Sequence, residues 1–308
     1  MAQAVTSATI GIDLGGTKIE GVLLDHKLRV LARERLPTEQ EHGYEHILGQ
    51  IATVVGLLRE AAATPVATVI GVGAPGSISS RTGLLKNSNT ACLNGRKLDL
   101  DLEQRLGARV RLENDANCFA LAEALAGAGR GAEVVFGVIL GTGVGGGIVI
   151  DGHLRTGPNR IAGDWGHHSI DPAGPSCYCG QRGCVEALLA GPALEAAYRC
   201  SAGSAASVRV PEIARRAGAG DAAAQAVIER WLGGFGRALA NLIDILDPDV
   251  VVLGGGLSNL SVIYPRGVAE VAAAVFNDEL RTPIVRNQLG DSAGVIGAAL
   301  LARAAPPG

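Results

Sequence analysis

The stretches 10-IGIDLGGTKIEGVLL-24 and 136-FGVILGTGVGGGIVI-150 have equal length and align glycine on glycine. Gly11 falls on Gly137, Leu14 on Leu140, Gly15 on Gly141 and Gly21 on Gly147, with apolar residues flanking on both sides. Each reads as an apolar strand, a glycine turn and a second apolar strand. A segment repeated in this way points to a duplicated unit, so two related α/β halves facing one another are expected.

The residues around the hairpins fit an α/β class. Patterning predicts a helix from about Gly43 to Ala63, a buried strand in VIGVGAPG ending at Gly76, a short strand in RVRLE and a helix over DANCFALAEALAGAG from Asp115. Helical runs follow at Glu186 to Arg199 and Asp221 to Leu246, then a strand in DVVVLGGG from Asp249 and a helix from Val262. A short PIVRN strand and a helix from Asp291 to Ala304 close the pattern, with an APPG tail expected to be disordered.

Composition narrows the partner. A chain of 308 residues with 47% hydrophobic residues suits about two domains. A net charge of −3 and 3% aromatics give neither a basic field nor stacking platforms, so nucleic acid and membrane are not expected partners and a small molecule is. The N-terminal residues lack a basic segment followed by an apolar run, which predicts a cytoplasmic protein with reduced thiols.

IDLGGTK places the backbone of Gly15 and Gly16, the hydroxyl of Thr17 and the Lys18 ammonium near one point, and glycine lets a phosphate approach the backbone closely. Gly141, Thr142 and Gly143 of GTGVGGG make a second such turn, and Gly254, Gly255 and Gly256 of LGGGLSN a third. Three glycine turns at the ends of apolar strands suit a nucleotide whose phosphates are held between two halves. Neither a Walker A loop nor a Rossmann fingerprint is present, because GxxxxGK[ST] does not occur and DLGGTK runs into a strand rather than a helix. Asp13 has Ile139 as its counterpart, an asymmetry that suits a carboxylate on the metal side of the phosphates; the alternative is an acid that stabilises the turn.

Asn114 and Asp115 stand where RVRLE gives way to a helix. Asp115 there is either a helix N-cap or, at the carboxyl end of a strand, the acceptor of a proton from a substrate hydroxyl. Glu186 is either a favourable acid in a first helical turn or a pocket residue.

Three of the six cysteines, Cys177, Cys179 and Cys184, lie in CYCGQRGC, close after AGDWGHH. Three soft thiolates and one histidine make a closed tetrahedral set for structural Zn²⁺. Spacing leaves His167 and His168 as alternatives for the fourth ligand. The metal is expected to clamp the loop that carries Asp164, His167 and Glu186. Cys92, Cys118 and Cys200 lie apart and are read as packed or free thiols.

Together IGIDLGGTK, GAPGSIS, KNSNTACLNG, LENDANCFALAEA, ILGTGVGGG, AGDWGHH, CYCGQRGCVE and DPDVVVLGGG resemble the ROK family of sugar kinases and repressors, from about Thr9 to Leu301. The resemblance implies the actin-like ATPase fold, two ribonuclease H-like α/β domains around a cleft. The expected division is residues 1–117, with a C-terminal helix at about 292–308 packing back on them, and 118–291 containing the zinc loop 164–186. It implies that DLGGTK and GTGVGGG hold ATP phosphates with Mg²⁺, that the glycines 254–256 lie by the adenosine, and that Asp115 is the catalytic base. It places Gly76, Asn114, Asp115, Asp164, His167 and Glu186 at the sugar, and selects His167 over His168 because the family's sugar-contacting histidine also binds zinc.

One departure concerns specificity. Asp164 stands where the family pattern has Glu, and the shorter side chain would lengthen a sugar hydrogen bond by roughly 1 Å. The run GSISSRTGLLKNSNTACLNG resembles fructokinase-like members that also accept mannose or glucose, and N-acetylglucosamine kinases share much of it. The resemblance therefore implies ATP-dependent phosphorylation of a hexose, with N-acetylglucosamine or N-acetylmannosamine as alternatives and a homodimer as the expected assembly. A sugar-sensing repressor is disfavoured by the nine residues before the first strand, too few for a helix-turn-helix. A sugar-binding protein without catalysis finds support only in Asp164.

Overall fold

Both glycine hairpins form, and each seeds a sheet. The computed structural model describes residues 7–203 and 207–303, so the predicted helix end at Ala304 and the APPG tail lie outside the described residues. In the first sheet β1 (Ala8–Leu14) pairs antiparallel with β2 (Lys18–Leu24), which pairs with β3 (Val30–Pro37). On its other side β1 pairs parallel with β4 (Val66–Ala74), and β4 with β7 (Arg109–Asn114). A two-stranded ribbon, β5 (Ser77–Ile78) with β6 (Leu85–Lys86), lies between β4 and β7 in the chain.

The second sheet repeats the plan. β8 (Val134–Leu140) pairs antiparallel with β9 (Val144–Ile150), which is followed by β10 (His153–Arg155). β8 pairs parallel with β11 (Val250–Gly254), and β11 with β12 (Ile284–Arg286). The strand orders are β3-β2-β1-β4-β7 and β10-β9-β8-β11-β12, so each strand of one sheet has a positional counterpart in the other. The duplication inferred from glycine positions is therefore a duplication of topology.

The chain divides into two compact units. One comprises the residues up to Gly127, Gly152–Ala162 and the segment from Leu289 onward; the other comprises Ala128–Asp151 and Gly163–Gln288. α1 (Tyr44–Glu60), α2 (Leu98–Leu106), α3 (Asp115–Ala126) and α9 (Ala293–Leu301) lie in the first. The first unit keeps α3 whole, where the sequence placed a boundary after residue 117, because α3 packs along α9. Gly11 and Gly71 face the α9 backbone, and Gly297 faces Cys118 of α3, so that any Cβ there would collide with main chain. Glycine at these three positions lets the C-terminal helix seat directly on the sheet and on α3.

The second unit carries α4 (Val185–Leu189), α5 (Gly191–Ser201), α6 (Val210–Gly218), α7 (Ala222–Leu246) and α8 (Arg266–Ala274). The single helix expected from Glu186 to Arg199 is two helices, with Ala190 extended between them and Pro192 in the first turn of α5. Proline suits a first turn because its missing N–H would be unpaired there anyway. The core of this unit gathers Phe136, Trp231 and Phe235 with the apolar faces of α5 to α7. Each such side chain, fully buried, contributes about 1.5–3 kcal/mol.

Candidate active site

In the first unit the chain places Asp13 next to the last residue of β1, opposite Glu20 across the hairpin. Burial, then the charges of Asp115 and Glu20, push the Asp13 carboxyl up to about 6 against the opposing pull of Lys18. Gly15 N–H donates to Lys18 O at 2.9 Å and closes the turn, and Thr38 Oγ1 donates to Gly15 O at 2.6 Å. A Cβ on Gly16 would meet no protein atom closer than 3.8 Å, and Thr17 is exposed, so this face of the turn is open. Lys18 Nζ is tied to Glu20 Oε2 at 3.0 Å, and Arg33 and Arg35 also pair with the fully buried Glu20. Burial alone would raise Glu20, but the bonds from Arg35 and Lys18 outweigh it and hold its carboxyl below the usual value.

The cap of α3 is Asn114. Its side-chain oxygen accepts from Asn117 N–H at 2.6 Å, while Asp115 Oδ1 accepts from the adjacent Ala116 N–H at 2.9 Å. Asp115 is therefore not the N-cap, and it stands exposed in the first turn of α3. Gly76 and Asn114 line one small cavity together with Glu113, Asn117 and Arg160. Gly76 has φ 94°, and a Cβ there would lie 2.5 Å from Lys86 O, so glycine is required. Glu113 accepts from Asn117 Nδ2 at 3.0 Å and pairs with Arg160 at 3.5 Å, while burial raises its carboxyl. Sequence reasoning missed Glu113, Asn117 and Arg160, because only the fold brings 160 to 113; Glu113, beside the Asn114–Asp115 pair, was the one signal available.

In the second unit Gly141 N–H donates to Gly143 O at 2.9 Å, forming the turn that matches Gly15–Lys18. A cavity of about 590 Å³ is lined by Gly141 and Thr142 from this turn, by Gly256 from the third, and by Gly191 and Glu195 of α5. A Cβ on Gly141 or Gly256 would meet nothing within 4 Å, and neither has positive φ. Packing does not demand glycine at either place, and both leave the backbone open to the cavity. Gly255 differs: with φ 78° and Leu140 main chain against it, it serves the fold. Gly254 ends β11 in the interior. Glu195, which pairs with Arg209 at 3.4 Å, lines the cavity without any sequence signal.

The cysteine loop closes as the spacing demands. One ligand atom each from His167, Cys177, Cys179 and Cys184 lies within 4.8 Å of all the others. Cys177 Sγ is 3.5 Å from His167 Nδ1, and Cys179 Sγ is 3.6 Å from Cys184 Sγ. A tetrahedron with Zn–S of about 2.3 Å and Zn–N of about 2.0–2.1 Å has edges of roughly 3.5 and 3.8 Å, so donor set and separations fit that ion. His168 is exposed and outside the cluster. Burial and the neighbouring thiols push Cys184 up to about 12, whereas a backbone hydrogen bond from Gln181 lowers Cys179.

The loop is anchored to the β8–β9 hairpin. Trp165 Nε1 donates to Gly145 O at 3.0 Å, and Trp165 meets Phe136 edge-on with ring centres 5.9 Å apart. Glu186 Oε2 accepts from Val144 N–H at 2.9 Å. Asp164 is exposed, and its carboxylate makes no hydrogen bond among the described residues. His167 Nε2 lies 2.9 Å from the Tyr178 hydroxyl.

The ROK family model matches residues 9–305. The chain belongs to the ROK family. It is 37% identical over 302 residues to N-acetyl-D-glucosamine kinase of Photobacterium profundum, covering 94% of this chain and 98% of that protein. Crystal structures of ROK hexokinase from Thermus thermophilus and of a ROK family glucokinase from Streptomyces griseus in complex with glucose and AMPPNP are similar to it. The first is 36% identical with a TM-score of 0.87, covering 96% of this chain and 98% of that one. The second is 30% identical with a TM-score of 0.79, covering 96% and 99%. The duplicated sheets are thus those of the actin-like ATPase fold, in two domains of mixed α/β content. Within this ROK chain the first domain carries Asp13, Gly76, Asn114 and Asp115, and the second carries the cavity of about 590 Å³, the cysteine cluster, Asp164 and Glu186.

Proposed function

We propose that this protein transfers the γ-phosphoryl group of ATP to a hexose hydroxyl, the 6-OH, of fructose, mannose or glucose, with Asp115 as general base. The observation that carries this reading is that Asn114 caps α3, so the exposed carboxylate of Asp115 is not needed as the cap and can take a substrate proton. Phosphoryl transfer asks of a protein chiefly alignment, charge compensation and an acceptor for the alcohol proton. Asp115 accepts that proton, Asn114 and Gly76 border the sugar, and Asp164 and Glu186 face other hydroxyls. The two turns, open at Gly16 and at Gly141, would let the phosphates approach the backbone, and the cavity beside Gly256 would take the adenosine. Mg²⁺ carried with ATP would offset charge near Asp13. Zn²⁺ held by His167, Cys177, Cys179 and Cys184 would leave no ligand position for water, so its part is to hold the loop.

The curated relatives, named N-acetyl-D-glucosamine kinases, favour a second reading, phosphorylation of N-acetylglucosamine, with N-acetylmannosamine as its variant. A cytoplasmic homodimer belongs to the same proposal; among the described residues no helix is long and apolar enough to cross a membrane. Coupled ADP release with Mg-ATP against fructose, mannose, glucose, N-acetylglucosamine and N-acetylmannosamine tests both readings. Sugar-dependent turnover that Asp115→Asn abolishes is the expected result. A folded, metal-replete protein that releases no ADP with any of them would refute it.

A further inference from the structure

Glu39, His42 and His46 lie in the stretch EQEHGYEH, which no sequence motif marks. Each offers one ligand atom, and the three atoms lie within 4.8 Å of one another. His46 Nε2 is 2.8 Å and His42 Nδ1 3.9 Å from the same carboxylate oxygen, Oε2 of Glu39. The two imidazole rings meet edge-on with centres 4.9 Å apart. Glu39 and His46 are half-buried and His42 is exposed, so the cluster opens to solvent on one side.

Two bends of the backbone build it. β3 ends at Pro37, and Glu39 turns back with φ 47° and ψ 51°, a left-handed conformation that few residues other than glycine adopt. One turn of 3-10 helix, Gln40–His42, follows, and Gly43 with φ 86° redirects the chain into α1. His42 thereby comes beside His46 in the first turn of α1, and Glu39 returns to both. Gln50, one turn further along α1, donates to Pro37 O at 3.1 Å and reaches Glu39 Oε2 at 3.5 Å, an outer contact that orients the carboxylate.

Pairing alone does not account for the set. Exposed ion pairs repay little of the entropy lost in ordering their side chains, and only one of the two imidazoles is within hydrogen-bond distance of the carboxylate. A cation shared by all three would use every donor. Two imidazole nitrogens and one carboxylate oxygen suit Zn²⁺ and its neighbours Co²⁺ and Ni²⁺ rather than Mg²⁺ or Ca²⁺. A tetrahedron with metal–nitrogen bonds of about 2.0–2.1 Å and metal–oxygen bonds of about 2.0–2.2 Å has N–O edges of roughly 3.3–3.5 Å. That value lies between the observed 2.8 and 3.9 Å, so small rotations of two exposed imidazoles would reach it.

We propose that Glu39, His42 and His46 form a second metal site, for a Zn²⁺-class divalent ion, that fixes the segment bracing the first glycine turn. The brace is Thr38, fully buried and next to Glu39. Its N–H donates to Thr17 O at 3.0 Å and its Oγ1 to Gly15 O at 2.6 Å. A cation that ties Glu39 to α1 therefore holds Thr38 against the turn. The inference stands apart from the sugar-kinase reading, because its readouts need neither sugar nor ATP.

The test titrates the untagged, zinc-loaded full chain with Co²⁺, whose d–d absorption on nitrogen and oxygen donors lacks the thiolate charge-transfer band expected from the cysteine cluster. One further equivalent without that band is the expected result, with an unfolding temperature that rises with free metal. His42→Ala, His46→Ala and the shape-preserving Glu39→Gln should each weaken this binding at least about 10-fold, since even an outer partner of a ligand is worth that much. His26→Ala, at an exposed histidine outside the cluster, should leave it unchanged. Amide exchange at Gly15 and Thr38 should slow on metal loading in wild type and not in His46→Ala. The proposal is overturned if no further equivalent binds, if it arrives with the thiolate band, or if it survives all three substitutions. Metal that binds at the three residues and leaves exchange at Gly15 and Thr38 unchanged would overturn the bracing role.

Discussion

Glu186 Oε2 accepts the Val144 N–H at 2.9 Å and lies 2.7 Å from where a Cβ on Gly143 would stand. One carboxylate oxygen thereby joins the residue two positions after Cys184 to the turn proposed to hold phosphate. The cysteine cluster and the glycine turn are parts of one mechanical assembly within the second unit.

Gly143→Ala would force Glu186 off Val144, and Glu186→Ala would leave the buried Val144 N–H without its partner. An unpaired buried donor costs about 1–3 kcal/mol, and both variants should lose that much in chemical denaturation. Both should also raise the KM for ATP, whereas Glu186→Gln, which keeps an acceptor oxygen, should retain most of the stability. Steady-state kinetics with ATP varied at saturating sugar checks the split.

Asp115 and its neighbour should separate chemistry from stability. Asp115→Asn is expected to lower kcat by about 10²- to 10⁴-fold, the usual range for a positioned general base, with sugar KM little changed and the unfolding midpoint near wild type. Asn114→Ala removes the α3 cap and should cost about 1 kcal/mol of stability, besides its effect on sugar binding. Equal kcat losses without a stability difference would contradict the assignment of cap and base.

Asp13 should destabilise the folded protein when ionised. Its folded pKa, near 6, is raised above the ordinary 3.8, chiefly by burial. The folded state therefore binds its proton more tightly than the unfolded state. Its stabilising contribution is complete below about pH 4 and is lost as pH rises through about 6. Asp13→Asn should thus be more stable than wild type at pH 8, by about 1–3 kcal/mol, with the advantage shrinking toward pH 4. It should at the same time be inactive with Mg-ATP. Denaturation midpoints at pH 4.5 and 8 measure the difference.

Metal content offers the sharpest choice between the adjacent histidines. His167→Ala should release zinc to a chelator far faster than wild type, while His168→Ala should keep one zinc per chain. Stripping the metal should lower the unfolding temperature and abolish activity together, and added Zn²⁺ should restore both, because a closed four-ligand site acts by holding structure. Elemental analysis of the two variants decides it.

The mix of what sequence could and could not show has physical causes. The strands around Ile10–Leu24 and Phe136–Ile150 are legible because their sheets bury both strand faces, leaving apolar runs broken by glycine. β3 is not, because VLARERLP lies at a sheet edge with no residue fully buried. α2 reads LDLDLEQRL, whose alternation imitates a strand; the helix buries Leu98, Leu102 and Leu106 and leaves Leu100 exposed.

The sequence by itself determined the duplicated α/β plan, the three glycine turns and the thiol-rich ligand set, since strand periodicity, turn chemistry and ligand spacing are local properties of a chain. Tertiary structure decided how the groups are divided between fold and function. Asn114 rather than Asp115 takes the cap, Leu140 main chain claims Gly255 while Gly141 and Gly256 stay open, and His167 turns one nitrogen to Cys177 and the other to Tyr178. Each of these is a competition for a hydrogen bond or for space between residues, and only their distances in the folded chain settle who wins.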